Sequence, residues 1–307
     1  MKNNTSFAMR VKKDFKRNKF KYMLIAPVIV YFILFAYKPM YGIVVAFQKY
    51  RLTAGIGGSP WVGFYQFERF FTDPYFFRLL RNTFSISLLY QLCSNPAPII
   101  LALLLNEVRC RWFKRTVQTI SYMPHFISLV VTCSLVTYFS ASEGLFNQII
   151  VFFGGERSAL LSRSDMFYPI YILSGIWKGV GWSSIIYLAA LAGIDQEQYE
   201  AARVDGAGRM KQMLYITLPG LVPTMAMLWT LDIGQLLSVG YEKIMLLYQP
   251  LTYDVADVIS TYVYRKGIEG KDFSYSTAIG LFNSVINLGL LITANKLSKK
   301  LGQSGLF

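Results

Sequence analysis

The sequence is short of charge. Only 16% of its 307 residues are Asp, Glu, Lys or Arg, against about a quarter in soluble domains. A chain this long must therefore contain stretches nearly free of charge, which excludes an ordinary soluble domain. Histidine is almost absent, since His125 is the only one. That removes His-based metal clusters and Ser-His-Asp chemistry. The three cysteines, Cys93, Cys110 and Cys133, are widely spaced, odd in number and in or beside apolar runs. No disulfide framework or metal spacing is visible in them. No Gly-x-x-x-x-Gly-Lys-Ser/Thr loop occurs, so nothing in the chain can cradle ATP phosphates. The clustered acidic or metal site that a membrane glycosyltransferase needs is missing too. The apolar run from Met23 onward is long and has no small-residue cleavage site after it, so it does not read as a cleavable signal peptide.

What the chain does contain is apolar. Hydrophobic residues make up 54% and aromatic residues 16%, with a mean hydropathy of +0.38. These values predict an all-α polytopic membrane protein. A bilayer core of about 30 Å needs roughly 20 helical residues, and six candidate spans meet that need. They are Tyr22–Phe47, interrupted by Lys38-Pro39; Thr83–Leu105, kinked at Pro96 and Pro98; Val117–Phe139, kinked at Pro124; Phe167–Ala192; Val222–Val239; and Tyr275–Asn295. Prolines inside spans are tolerated where neighbouring helices or water satisfy the freed carbonyls. The segments outside this 22–295 domain are a basic N-terminus, 1–21, and a tail, 296–307.

The net charge is +14. Its Lys and Arg cluster beside the spans, which reads as membrane anchoring and not as nucleic-acid binding. Eighteen fall in the N-terminal segment, the loops after spans two and four, and the tail; eleven fall in the other, longer loops. Lys38 and Lys178 lie within spans, where snorkelling or structural pairing is the expected role. The imbalance predicts that both termini are cytoplasmic.

The stretch 195–219, between spans four and five, is the most patterned in the chain. Asp195 reads as an N-cap and Glu197 suits a first helical turn. Gln196–Arg203 then reads as a short helix, broken by Gly206 and Gly208. Met210–Leu218 reads as a second short helix stopped by Pro219, with Pro223 opening the next span. Ala201 and Ala202 offer a narrow surface for close approach. Two readings of this helix–turn–helix follow from physics: a lever pulled by a partner, or an amphipathic loop lying on the membrane.

Glu200-Ala201-Ala202, then Gly206, then Ile216-Thr217-Leu218-Pro219, with their spacing, resemble the EAA signature of permease subunits of binding-protein-dependent ABC importers. The resemblance implies a type I transmembrane-domain fold with a cytoplasmic coupling helix that docks on an ATPase. It implies that Glu200, Ala201, Ala202, Asp205, Gly206, Leu218 and Pro219 form or shape that contact. Further stretches resemble carbohydrate-uptake permeases of the maltose/alginate-like branch: Tyr37–Gly42, Tyr122–Ser128, Tyr241–Tyr248, Asp257–Arg265 and Thr277–Asn287. One departure is Leu129, where an aromatic residue is expected. The resemblance implies a non-catalytic subunit in a bacterial cytoplasmic membrane, moving oligosaccharide by alternating access. Its implied partners are a homologous second permease, two ATPase subunits that bind the ATP and Mg, an extracytoplasmic sugar-binding protein, and lipid. No cofactor is implied in this chain.

Sugars are held by aromatic faces and polar groups, and polar residues in spans usually face a bundle interior or a water path. On those grounds the candidate pathway residues are Tyr90, Asn95, Tyr122, Trp177, Trp182, Trp229, Asp232, Gln235, Asn283 and Asn287. Asp232 stands out, because a carboxylate within a span needs a partner or water. His125 reads as a packing residue. Residues 144–155 read as a short amphipathic segment on the outer face. A secondary transporter would favour internal repeats, and none is evident. A non-sugar importer is the remaining alternative for cargo.

Overall fold

The computed structural model describes residues 14–302 and 305. Residues 1–13, 303, 304, 306 and 307 lie outside the described residues, and with them Lys2, Arg10, Lys12 and Lys13 of the basic N-terminus and part of the tail. Among the described residues every regular element is helical, and the one β feature is an isolated bridge between Gln48 and Trp61. The helices used below are α1 (Lys19–Phe32), α2 (Tyr65–Phe71), α3 (Phe76–Ser94), α4 (Pro96–Glu107), α5 (Arg111–Tyr122), α6 (Leu129–Ser140) and α7 (Leu145–Phe152). They continue with α8 (Ser164–Ala192), α9 (Gln196–Val204), α10 (Arg209–Gln212), α11 (Leu218–Ile233), α12 (Tyr241–Leu247), α13 (Ile259–Tyr264) and α14 (Phe273–Lys300).

Five helical stretches are long and apolar enough to cross a bilayer: Lys19–Phe47, Phe76–Glu107, Leu129–Phe152, Arg209–Ile233 and Phe273–Lys300. The predicted fourth span corresponds to α8, which has 29 residues and so a length of about 43 Å. Its length suffices, but Lys178 with several Gly, Ser and Trp residues interrupts the apolar run.

Prolines shape the helices differently from the sequence expectation. Pro219 does not stop a helix. A π turn over Met213–Thr217 widens the coil just before it, and the helix runs on from Arg209 to Ile233. Pro39 shows the same arrangement, with a π turn over Ile33–Tyr37. A proline lacks an N–H and its ring crowds the carbonyl four residues back. A wider turn moves that carbonyl away. Lys38-Pro39 therefore does not break the first span. Pro124 acts more severely. A 3-10 turn over Met123–Phe126 and an extended Ile127 separate α5 from α6, so Val117–Phe139 is not one helix. The apolar stretch here is Leu129–Phe152, which takes in α7, predicted as an outer-face segment. The fifth span also ends earlier than expected, at Ile233.

The break at Pro124 frees carbonyls from helical hydrogen bonding. Lys178 of α8 answers them: its Nζ donates to the carbonyl oxygens of Pro124, His125 and Ile127. Lys178 is thus a structural charge, and His125 stacks on Trp182 with ring centroids 4.4 Å apart.

Helix packing gives the bundle two distinct ends. At one, Ile99 and Ala102 of α4, Tyr187 and Leu191 of α8 and Leu221 of α11 share a core cluster. The loop 195–217 and the end of α14 meet there, with Ile194 against Gly220 and with Leu297 and Ser298 beside Val222 and Met225, which brings Arg203, Arg209, Lys211, Lys296, Lys299 and Lys300 to one end. At the other end, Asp257 is fully buried and its carboxylate accepts two hydrogen bonds from Arg265, at 2.8 and 2.6 Å, and one from Thr261 at 2.7 Å. Arg78 approaches the same carboxylate at 3.5 Å. Asp73 accepts from the hydroxyls of Tyr262 and Tyr275 at 2.6 and 2.7 Å. Burial opposes ionisation of Asp73, but those hydroxyls and the Tyr75 N–H hold its carboxyl below the ordinary value.

Candidate functional site

Two regions hold the residues singled out in the sequence. The first is the loop joining α8 to α11. Asp195 caps α9, its side chain accepting the Glu197 N–H at 3.0 Å. At the far end of α9 the chain turns back on itself. Ala207 N–H donates to the Ala202 carbonyl at 2.8 Å, and Gly206 N–H to that of Arg203 at 3.1 Å. This pair of bonds is a Schellman cap, which needs a left-handed residue. Gly206 supplies it with φ of 74°; any side chain there would be strained. The second limb, α10, folds beside the first. Tyr199 Oη and Thr217 Oγ1 lie 3.0 Å apart, and Gln212 Nε2 donates to the Ala207 carbonyl at 2.7 Å. The loop is therefore internally braced.

Its outer surface is unpartnered. Glu200, Ala201, Asp205, Gly206 and Pro219 are exposed, and Ala202 and Leu218 are half-buried. Val204 is 89% exposed and Tyr215 78%, with Met210 and Leu214 also exposed. Among the described residues no ion pair involves Glu200, Arg203, Asp205 or Arg209. Apolar side chains and unpaired charges concentrated on one rigid turn have the composition of a contact surface.

The second region is a cavity of about 380 Å³ between α3, α8 and α11. Tyr90, Asn95, Asp232 and Gln235 all line it, joined by Gln91, Tyr171, Tyr187 and Ser238. Asn95 and Asp232 share its lining. Gln91 Nε2 donates to the Asp232 carbonyl at 2.8 Å. Asp232 thus faces a polar cavity, where a carboxylate in a span can meet water or solute. Asn287 braces the wall from behind: its Oδ1 accepts the Leu237 N–H at 3.0 Å and its Nδ2 donates to Ser238 Oγ at 2.8 Å.

The other predicted pathway residues lie elsewhere. Trp177 faces an apolar groove with Leu135 and Phe139. Trp182 stacks on His125, and Trp229 lies in a groove with Met225 and Leu297. Tyr122 closes α5 beside the Pro124 break. Asn283 is half-buried on α14, its Oδ1 without a hydrogen-bond partner among the described residues. Sequence reasoning missed Tyr171 and the nearby Lys243. Lys243 was counted with loop charges, although its place in the short apolar helix α12 was a usable signal.

Tyrosine faces, amides and one carboxylate suit a solute rich in hydroxyls. Residues 94–303 match the family described as "Binding-protein-dependent transport system inner membrane component". The chain is 47% identical over 292 residues to the polygalacturonan/rhamnogalacturonan transport system permease protein YteP of Bacillus subtilis, covering 95% of this chain and 91% of that one. It is also 47% identical to Protein LplB of the same organism, covering 95% and 92%. A solved bacterial ABC transporter involved in the import of the acidic polysaccharide alginate contains a chain with TM-score 0.89 and 43% identity, covering 96% of this chain and all of that one. The alginate transporter has also been solved with a periplasmic protein carrying an alginate pentasaccharide.

Proposed function

The chain belongs to the family of binding-protein-dependent transport system inner membrane components, and on that premise we propose that it is the membrane-spanning permease of an ATP-driven importer of oligosaccharides. The named relatives and the alginate transporter support a carbohydrate cargo. Permease subunits of this family are not catalytic. The power stroke then comes from two separate ATPase subunits, which bind ATP and Mg. A second, homologous permease completes the pathway, and an extracytoplasmic binding protein delivers the sugar, as the periplasmic partner of the alginate transporter suggests.

The observation that carries the reading is the loop 195–219. It is braced within itself, exposed, and unpaired on its outer face. We assign it as the coupling element, with Glu200, Ala201, Ala202, Asp205 and Gly206 at the ATPase contact and Leu218 and Pro219 joining it to α11. Its end of the bundle is also the basic end, so the positive-inside tendency makes it cytoplasmic. The end of α14 lies there too. With α8 as a sixth span the N-terminus follows to the same side. ATP binding favours one of two bundle packings and hydrolysis restores the other, which is a population shift between outward- and inward-facing states.

The test is ATPase activity of the assembled importer in lipid nanodiscs, with its binding protein and an oligosaccharide. Hydrolysis should rise when loaded binding protein is added. A chain that never associates with an ATPase, or carries sugar without ATP, would overturn the proposal.

A further inference from the structure

Lys243 carries a charge that the fold leaves unbalanced. It projects from α12 into the space between α3 and α8. Its Nζ donates to the Tyr171 carbonyl oxygen at 2.6 Å. It sits 4.4 Å from the Tyr171 ring centroid and 6.0 Å from that of Tyr90. No ion pair to Lys243 exists among the described residues. The titratable groups that act on it are the Cys133 thiol and a second cation, Lys178. Lys178 is committed to the carbonyls freed at Pro124. Lys243 has one carbonyl and two ring faces.

Lys243 is half-buried, and an ammonium partly withdrawn from water without a counter-ion weakens a fold unless something pairs with it. Ionisable groups inside membrane bundles accordingly tend to mark transport paths. Here the path is adjacent. Tyr90 and Tyr171, the two rings against Lys243, both line the cavity. Asp232 lines the α11 side, its backbone carbonyl accepting from Gln91, so the cavity has an acidic wall and, behind the two tyrosines, a basic one. The packing around the ammonium is close. A Cβ at Gly175 would lie 2.9 Å from Lys243 Nζ and 2.5 Å from the Tyr90 ring, so bare backbone is what lets the lysine and tyrosine share that space.

We propose that Lys243 receives the carboxylate of an acidic sugar unit crossing the cavity, so that the permease favours uronate-bearing oligosaccharides over neutral ones. This rests on the importer reading above and names its substrate class. The four-carbon stem of lysine lets the ammonium turn past Tyr90. A charge-assisted bond to a carboxylate is stronger than the neutral carbonyl contact it would replace. The purely structural role is to pin α12 to α8 through the Tyr171 carbonyl, and Lys243→Gln separates the two, because it removes the charge and keeps an N–H donor.

The experiment is calorimetric titration of the whole importer in nanodiscs, without binding protein, using tetragalacturonate and its fully methyl-esterified form. Wild type should bind the acid more tightly than the ester. Lys243→Gln should weaken the acid by about tenfold or more and leave the ester unchanged, and Lys243→Arg should restore most of the preference. Equal weakening of both ligands, no weakening of either, or a wild type that binds neither or prefers the ester would overturn the proposal. ATPase stimulation by loaded binding protein, measured on the same wild-type preparation, reports separately on the importer reading.

Discussion

The two ends of the bundle treat charge in opposite ways. At one, Asp257 is enclosed by Arg265, Arg78 and Thr261, Asp272 pairs with Arg69 at 2.6 Å, and Asp73 rests between two tyrosine hydroxyls. At the other, Glu200, Arg203, Asp205 and Arg209 stand on a rigid loop with no ion pair among the described residues. Both ends are well ordered by hydrogen bonds. They differ in what remains unsatisfied. The first end completes itself within the chain. The second presents a braced shape with an unpaired, exposed surface, which on the proposed reading is where the ATPase docks.

That contrast can be broken most forcefully at Gly206. Gly206→Pro demands φ near −65° where the chain needs 74°. It should abolish sugar-stimulated ATP hydrolysis, while circular dichroism and detergent stability of the permease change little. A general loss of folding would mean that the loop is not a separable lever. Next in size is Asp257→Asn, which leaves Arg265 and Arg78 without their buried anion. Removing one partner of a buried pair costs about 3–5 kcal/mol, read as a fall in the thermal midpoint of the purified complex. A shift within error would show that the enclosed end is not held by charge.

A smaller effect is expected at Asp73. Its carboxyl is held below the ordinary value of 3.8, so the stability it adds is present above that value. That stability is lost as pH falls through the lower, folded-state value. Wild type should therefore exceed Asp73→Asn in thermal midpoint at pH 7, with the gap closing in acid. A gap that does not change with pH would remove the ionised-carboxylate explanation. The smallest effect is Tyr199→Phe, which deletes the hydroxyl contact between the two limbs of the loop. One such bond is worth about 0.5–1.5 kcal/mol. Coupling should survive with a modest rise in basal, sugar-independent hydrolysis, and unchanged basal hydrolysis would mean the brace is dispensable.

Much of the braced loop was legible in the sequence because it is local. Asp195 as a cap, α9 and the turn at Gly206 depend on neighbours a few residues away, and residue type alone specifies them. Pro219 was misread because the relief it needs, a π turn five residues long, leaves no residue signature. Pro124 was read as a kink, but the break is complete because Lys178, distant in sequence, satisfies the freed carbonyls. The cavity was only half legible. Helices apolar on every face carry no stripe to say which side turns inward. Tyr90, Asn95, Asp232 and Gln235 converge on the cavity, while Trp177, Trp182 and Trp229 point to other surfaces. The aromatic content suggested a sugar path without saying which rings form it.

The most direct test compares the two ends in one assembled complex. A photo-crosslinking amino acid is placed at Val204, 89% exposed on the unpaired loop, or at Leu251, 72% exposed at the enclosed end. After irradiation the adducts are identified by mass spectrometry. The account predicts ATPase-subunit adducts from Val204 and none from Leu251. ATPase adducts from Leu251, or their absence from Val204 in a complex that hydrolyses ATP in response to sugar, would contradict it.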